Sequence, residues 1–370
     1  MRRSLLARDD FSSNPHPALA LCRSMIFFRK PVFIFRDHAL ALVIAATAAA
    51  SALANDTTAE LSTGGLIFVR NDNVEMVSED LAISAKEIGV RYRFFNKSDQ
   101  DVTVLVAFPM PDIKIEGPDE NISVPTDDPV NLLAFATAVN GQPVATKVEQ
   151  RVIAAGLDRT QMLRELGIPL APHLADTNEA LDRLPQDKWD ELLRIGVAET
   201  EEYDAGQGMK MHLVARWTLQ TTYYWEQTFA ARAETIIEHR YKPSLGASVQ
   251  TSLGTPDAPK EPWYDEYKEK YCFDFEFLAA VERARKAANS KLGAPFAEER
   301  IDYILKTGAN WSGPIKEFRL VVDKGAADNL VSFCGDDVKK ISETRFEMKK
   351  ADYTPDGNLG VLILRKLPPQ

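Results

Sequence analysis

Residues 90–111, VRYRFFNKSDQDVTVLVAFPMP, constrain the fold more than any other stretch of the chain. Val90, Tyr92 and Phe94 alternate with Arg91 and Arg93. After the polar Asn96-Lys97-Ser98-Asp99, the alternation resumes at Val102, Val104, Val106 and Phe108. A period of two sends successive side chains to opposite faces of a strand, so each segment has one apolar face. The pattern predicts a β-hairpin whose second strand ends at Pro109 and Pro111, because proline has no N–H for the ladder. An apolar face backed by arginines needs a second layer, which predicts a sandwich.

The rest of the chain extends this pattern. Residues 66–69 and 74–77 read as a further hairpin across Arg70-Asn71-Asp72-Asn73. Residues 132–139 and 144–153 read as strands joined at Asn140-Gly141, the dipeptide that best tolerates two positive φ values. Residues 211–229 and 235–241 are rich in Thr, Tyr, Trp and Ile, with Ala230 to Glu234 short enough for a hairpin loop. Helical spacing replaces alternation over 156–206, where Pro185 opens a segment with Trp189, Leu192 and Leu193 on one face. Pro256, Pro259 and Pro262 mark a linker over 251–264, and Asp274 is an N-cap for a helix carrying Phe277, Leu278 and Val281. The expected fold is mainly β with helical insertions, in two β-sandwich-like modules of mostly antiparallel strands. Residues 55–250 form the first, with the insertion at 156–206; residues 265–370 form an α+β module with a short antiparallel sheet.

Ahead of this text, residues 1–54 read as a signal peptide. Met25 is followed by Arg29, Lys30 and Arg36, then an apolar run from Ala39 to Ala50 and the small-x-small pattern Ala52-Leu53-Ala54. Cleavage is expected after Ala54, and Met25 is the better start. The run falls short of the ~20 apolar residues a spanning helix needs, so a mature chain without a transmembrane anchor is expected, periplasmic or secreted. Of 44 basic and 54 acidic side chains, seven and three precede Asn55, leaving 37 against 51. Such an acidic chain repels phosphate backbones, which argues against nucleic acid as a partner. Cys22 lies in the leader; Cys272 and Cys334 are an even pair in an oxidising compartment and predict a disulfide.

Two resemblances follow from particular stretches. VRYRFFNKSDQDVTVLVAFPMPD is similar to part of the vault protein inter-alpha-trypsin domain. Taken with NDTTAELSTGGLIFVRNDNVEMVSEDLAIS, IIEHRYKPSLG and TGANWSGPIKEFRLVVDKG, the chain more closely resembles the bacterial exported family called domain of unknown function 4424. That resemblance implies an exported β-rich protein and carries over no functional residue.

No G-x-S-x-G, G-x-G-x-x-G, Walker or HExxH motif occurs, so no cofactor is expected. Asp119, Glu120, Asp127 and Asp128 lie in an acidic loop that offers oxygen ligands for calcium but lacks the alternate-residue spacing of known loops. Aromatic side chains concentrate around Trp225 and Tyr224, and again at Trp263, Tyr264, Tyr267 and Tyr271. With His239, Tyr241 and Trp311, the first group is a candidate surface for a sugar ring or a partner protein. Alternation places His239 and Tyr241 on one strand face and Glu238 with Arg240 on the other. The expected function is non-enzymatic binding of an envelope protein or glycan. An envelope hydrolase using Glu226 and Glu238 is one alternative, and a purely structural envelope component another. Oligomeric state is not encoded in any pattern found.

Overall fold

In a computed structural model of the chain, describing residues 56–62, 65–114, 121–204, 206, 208–290 and 293–368, the two strands of residues 90–111 form but do not pair with each other. Ile88–Asn96 lies in an eight-stranded sheet, and Val102–Pro109 in a seven-stranded sheet packed against it. Residues 97–101 are an arch between layers, which corrects the expected hairpin. Asn96 supplies the physical reason. Its buried amide nitrogen donates to the carbonyls of Gln100 (2.8 Å) and Phe229 (2.9 Å), and its oxygen accepts from the Ser98 N–H (2.9 Å). These bonds turn the chain out of its own sheet and fix it to a strand of the opposite one. The apolar alternation is satisfied all the same: Phe94 meets Phe229 and Phe108 meets His239 across the interface, with centroids 5.7 and 4.8 Å apart.

The same correction applies twice more. Gly65–Val69 pairs with Thr57–Ser62 in the seven-stranded sheet, whereas Val74–Ser84 pairs with Ile88–Asn96 in the other. Thr218–Phe229 and Glu234–Tyr241 likewise lie in opposite sheets, so the short loop between them crosses the sandwich. The Asn140-Gly141 turn does form, with φ values of 49° and 79° and Val139 opposite Gln142. Its strands, Ala136–Val139 and Gln142–Val144, are shorter than expected because Lys147–Ala154 has already crossed to the seven-stranded sheet.

A third, five-stranded sheet orders Leu330–Phe333, Leu359–Lys366, Phe296–Tyr303, Leu245–Ser248 and Asn121–Ser123, all antiparallel. Ile301, Tyr303, Val361 and Ile363 on one face join the main core. Phe296, Leu362 and Leu364 on the other belong to a second apolar cluster with Leu253, Tyr271 and Phe273. Fully burying a side chain such as Phe94, Phe108 or Phe229 stabilises the fold by about 1.5–3 kcal/mol.

Among the described residues five α-helices decorate the sheets: α1 (Thr160–Glu165), α2 (Ala175–Asp182), α3 (Gln186–Arg194), α4 (Tyr264–Tyr271) and α5 (Phe275–Ala287). The first three fall within the expected insertion, which also holds the strand Ala198–Asp204, half of a two-stranded ribbon with Met209–Ala215. Asp274 caps α5, accepting from the Phe277 N–H at 2.8 Å. Strands on the two sides of residues 251–264 share sheets. Ile315–Asp323 runs parallel beside Val74–Ser84, and Leu245–Ser248 pairs with Phe296–Tyr303. The described residues therefore form one compact unit, and the two expected modules are not separate sheets. Cys272 and Cys334 are joined in a disulfide. The expected leader, Met25 and the Ala54 cleavage point lie outside the described residues.

Candidate functional site

Four of the candidate residues meet inside the sandwich. Trp225 is 4% exposed, His239 1%, Tyr241 2% and Trp311 0%. Alternation along Glu234–Tyr241 turns His239 and Tyr241 inward as expected, and inward here means between two sheets. His239 Nε2 lies 2.9 Å from Asp56 Oδ1, its Nδ1 bonds to the Thr137 hydroxyl, and the Trp311 indole donates to the Asp56 carbonyl at 2.6 Å. Tyr92, Phe108, Phe135 and Trp225 surround the imidazole with centroids 4.8 to 5.8 Å away. Burial pushes the Asp56 carboxyl up, and the neighbouring His239 opposes it. The Tyr241 hydroxyl has no hydrogen-bond partner among the described residues, and burial raises its phenol. A ligand cannot reach side chains buried this deeply between two sheets. This cluster pins Thr57–Ser62 to both layers, helped by Asn310, which donates to the Thr57 hydroxyl at 2.9 Å.

The remaining candidates are scattered. Tyr224 points out of the opposite face of its strand and packs on Ala59, Leu66 and Ala107. Glu226 shares that outer face and is exposed. Glu238 lies on the outer face of the other sheet, 3.4 Å from Arg91. The whole core separates the two carboxylates, so the expected acid and base pair is not assembled. Asp128 accepts from the Val130 and Asn131 N–H groups, fixing a turn, and Asp127 is exposed. Asp119 and Glu120 lie outside the described residues. Among the described residues no group of three His, Cys, Asp or Glu side chains could hold a metal ion.

A cavity of about 380 Å³ opens instead on the outer face of the five-stranded sheet. Alternation along Phe296–Tyr303 that sends Ile301 and Tyr303 into the core sends Glu298 and Arg300 the other way, towards α4. Trp263, the N-cap of that helix, is followed at intervals of four by Tyr267 and Tyr271, and Trp263 and Tyr267 wall the cavity, 5.4 Å apart and nearly perpendicular. Ser248, Gln250 and Ser252 complete the lining. Glu298 is 6% exposed and accepts from the hydroxyls of Thr251 (2.5 Å), Tyr267 (2.7 Å) and Ser248 (3.4 Å). Burial, and then the charge of Glu298, pushes the Tyr267 phenol up, so it stays a donor. Arg300 stands 3.7 Å from Glu298, its side chain 22% exposed. The α4 wall is fastened at its far end, where the Cys272 cap is bonded to Cys334. An aromatic wall over a polar floor, in a cavity of this size, suits a small polar ligand with a flat face.

The family described as Domain of unknown function (DUF4424) matches residues 54–362, which include every residue of this cavity. The chain belongs to the DUF4424 family. A crystal structure from Legionella pneumophila, of a candidate nutrient-binding protein, is similar to this DUF4424 chain at 17% identity. It covers 84% of this chain and 70% of that one, with a TM-score of 0.40. No curated protein matches. Among the described residues no helix is long and apolar enough to cross a membrane.

In this DUF4424 chain the sequence marks Trp263 and Tyr267 by their aromatic concentration and does not mark Glu298 and Arg300. The available signal is their i, i+2 spacing on a strand whose opposite face carries Ala297, Ile301 and Tyr303 with Glu299 as its one charged member. Asp56 was missed too, although Thr57, Ala59 and Leu61 alternate directly after it.

Proposed function

We propose that this DUF4424 protein is an exported, non-enzymatic binding protein of the cell envelope, periplasmic or secreted, that holds an envelope glycan in the cavity between α4 and the five-stranded sheet. The observation that carries the reading is the Trp263 and Tyr267 wall standing over Glu298 and Arg300. Indole and phenol faces stack on the apolar face of a sugar ring, and the flanking polar groups answer its hydroxyls. Export is supported by the leader pattern and by a disulfide that an oxidising compartment preserves.

The test is a titration of envelope glycan fragments into the exported protein, followed by tryptophan fluorescence and calorimetry. Saturable binding that Trp263→Ala abolishes, with the protein still folded by circular dichroism, is the expected result. Failure of the wild type to bind any fragment would reject the reading.

A further inference from the structure

Resting on the cavity just described, we infer that its ligand carries a carboxylate and that Arg300 is the residue that recognises it. The two charged groups of the floor differ in how far the protein already satisfies them. Glu298 receives hydroxyl bonds from Thr251, Tyr267 and Ser248 on its two oxygens, so it acts as a hub that orients the Tyr267 wall. Arg300 shares a side-chain hydrogen bond with the Tyr267 hydroxyl, but it is 3.7 Å from that carboxylate, beyond hydrogen-bond length and without the two parallel bonds a guanidinium fork makes to a carboxylate, so most of its five N–H donors are not spent on an anion. Its planar fork therefore reaches the cavity with capacity for one more anion.

Gly246 leaves room for the fork. It lies opposite Arg300 on the adjacent strand, and a Cβ there would sit 2.9 Å from Arg300 Nε and 3.3 Å from Nη2. Only a glycine lets the guanidinium lie this close to the neighbouring backbone. A cation positioned before the ligand arrives loses less conformational freedom on binding. The ligand is then a carboxylate carried on a body flat enough to lie against Trp263. An acidic sugar and the C-terminal end of a peptide both offer that chemistry.

Calorimetric titration of the exported, disulfide-bonded protein with three probes separates these sources. They are a glucuronate disaccharide, the same disaccharide with its carboxyl reduced to an alcohol, and dialanine with a free C-terminus. The acid disaccharide is expected to bind about tenfold or more tightly than its reduced form, as one charge-assisted contact implies. Arg300→Gln should collapse that ratio to near one, Arg300→Lys should restore part of it, and Gly246→Ala should lower it with the fold intact by circular dichroism. Dialanine binding that Arg300→Gln removes also supports the carboxylate and moves its source to peptide ends. Equal binding of acid and reduced disaccharides overturns the inference; if Trp263→Ala still abolishes both, the glycan reading survives. No binding of these probes or of any glycan fragment overturns the inference and the proposed function together.

Discussion

Asp56 with His239 and Trp311, and Glu298 with Arg300 and Trp263, are two meetings of a buried carboxylate, a nitrogen-bearing side chain and an indole, and they are finished differently. The first lies between two sheets, and the side chains of Asp56 and His239 have no exposed surface. The second lies where the outer face of one sheet is covered by α4. A helix of eight residues is about 12 Å long, whereas the eight-residue strand beneath it runs about 26 Å. A second sheet seals what it covers, and a short helix leaves an opening at its end. Residue type is shared by both clusters; the covering element decides which of them a ligand can enter.

Removing one partner of the sealed cluster should give the largest effect. His239→Ala removes the imidazole from beside the buried Asp56 carboxylate and empties the centre of the aromatic cluster, and should lower stability by about 3–5 kcal/mol in urea. A loss below about 1 kcal/mol would show that the cluster is not what pins the first strand. The disulfide comes next. Cys272→Ser with Cys334→Ser opens a link across 62 residues, which the chain-entropy account values on the order of 4 kcal/mol, less whatever native strain it relieves. The same change should weaken glycan binding, because α4 then loses its covalent tie and keeps only packing, the Tyr267 to Glu298 bond, the Lys270 to Asp302 ion pair and the Ser332 bond to the Tyr271 carbonyl. Unchanged affinity would mean that the wall does not depend on this fastening.

A smaller effect sharpens the open side. Tyr267→Phe deletes one bond to Glu298 and should cost about 1 kcal/mol at pH 7. Burial raises the Tyr267 phenol, so its contribution is fully present below the ordinary value near 10 and is lost as pH rises towards the folded value. The stability gap between wild type and Tyr267→Phe should therefore begin to close above pH 10 in denaturant titrations. A gap that stays constant to pH 11 would contradict the Tyr267 to Glu298 assignment.

Strands and their faces were legible from alternation alone, but partners were not. Val90 to Phe94 and Val102 to Phe108 show the same apolar periodicity whether their strands pair edge to edge or face each other across a core. The difference rests on the Asn96 amide, whose second carbonyl partner, Phe229, is 133 residues away and invisible to local patterns. The same distance problem hid the single compact unit, since Ile315–Asp323 joins Val74–Ser84 from the far end of the chain. Among candidate site residues, His239 and Tyr241 were placed on the correct strand face. Ile237 shares that face and is fully buried, which marks it as the inward one. Alternation alone does not mark Glu298 and Arg300, because what covers them is α4, which only begins where the 251–264 stretch that reads as a linker ends.

The most direct test measures glycan binding and thermal unfolding side by side for Trp263→Ala and His239→Ala. Trp263→Ala is predicted to lose binding while remaining folded. His239→Ala is predicted to melt lower by roughly 10 °C and, below its transition, to bind as the wild type does. A His239→Ala protein that stays as stable as the wild type yet loses its ligand would contradict the account, because it would put the site inside the sandwich.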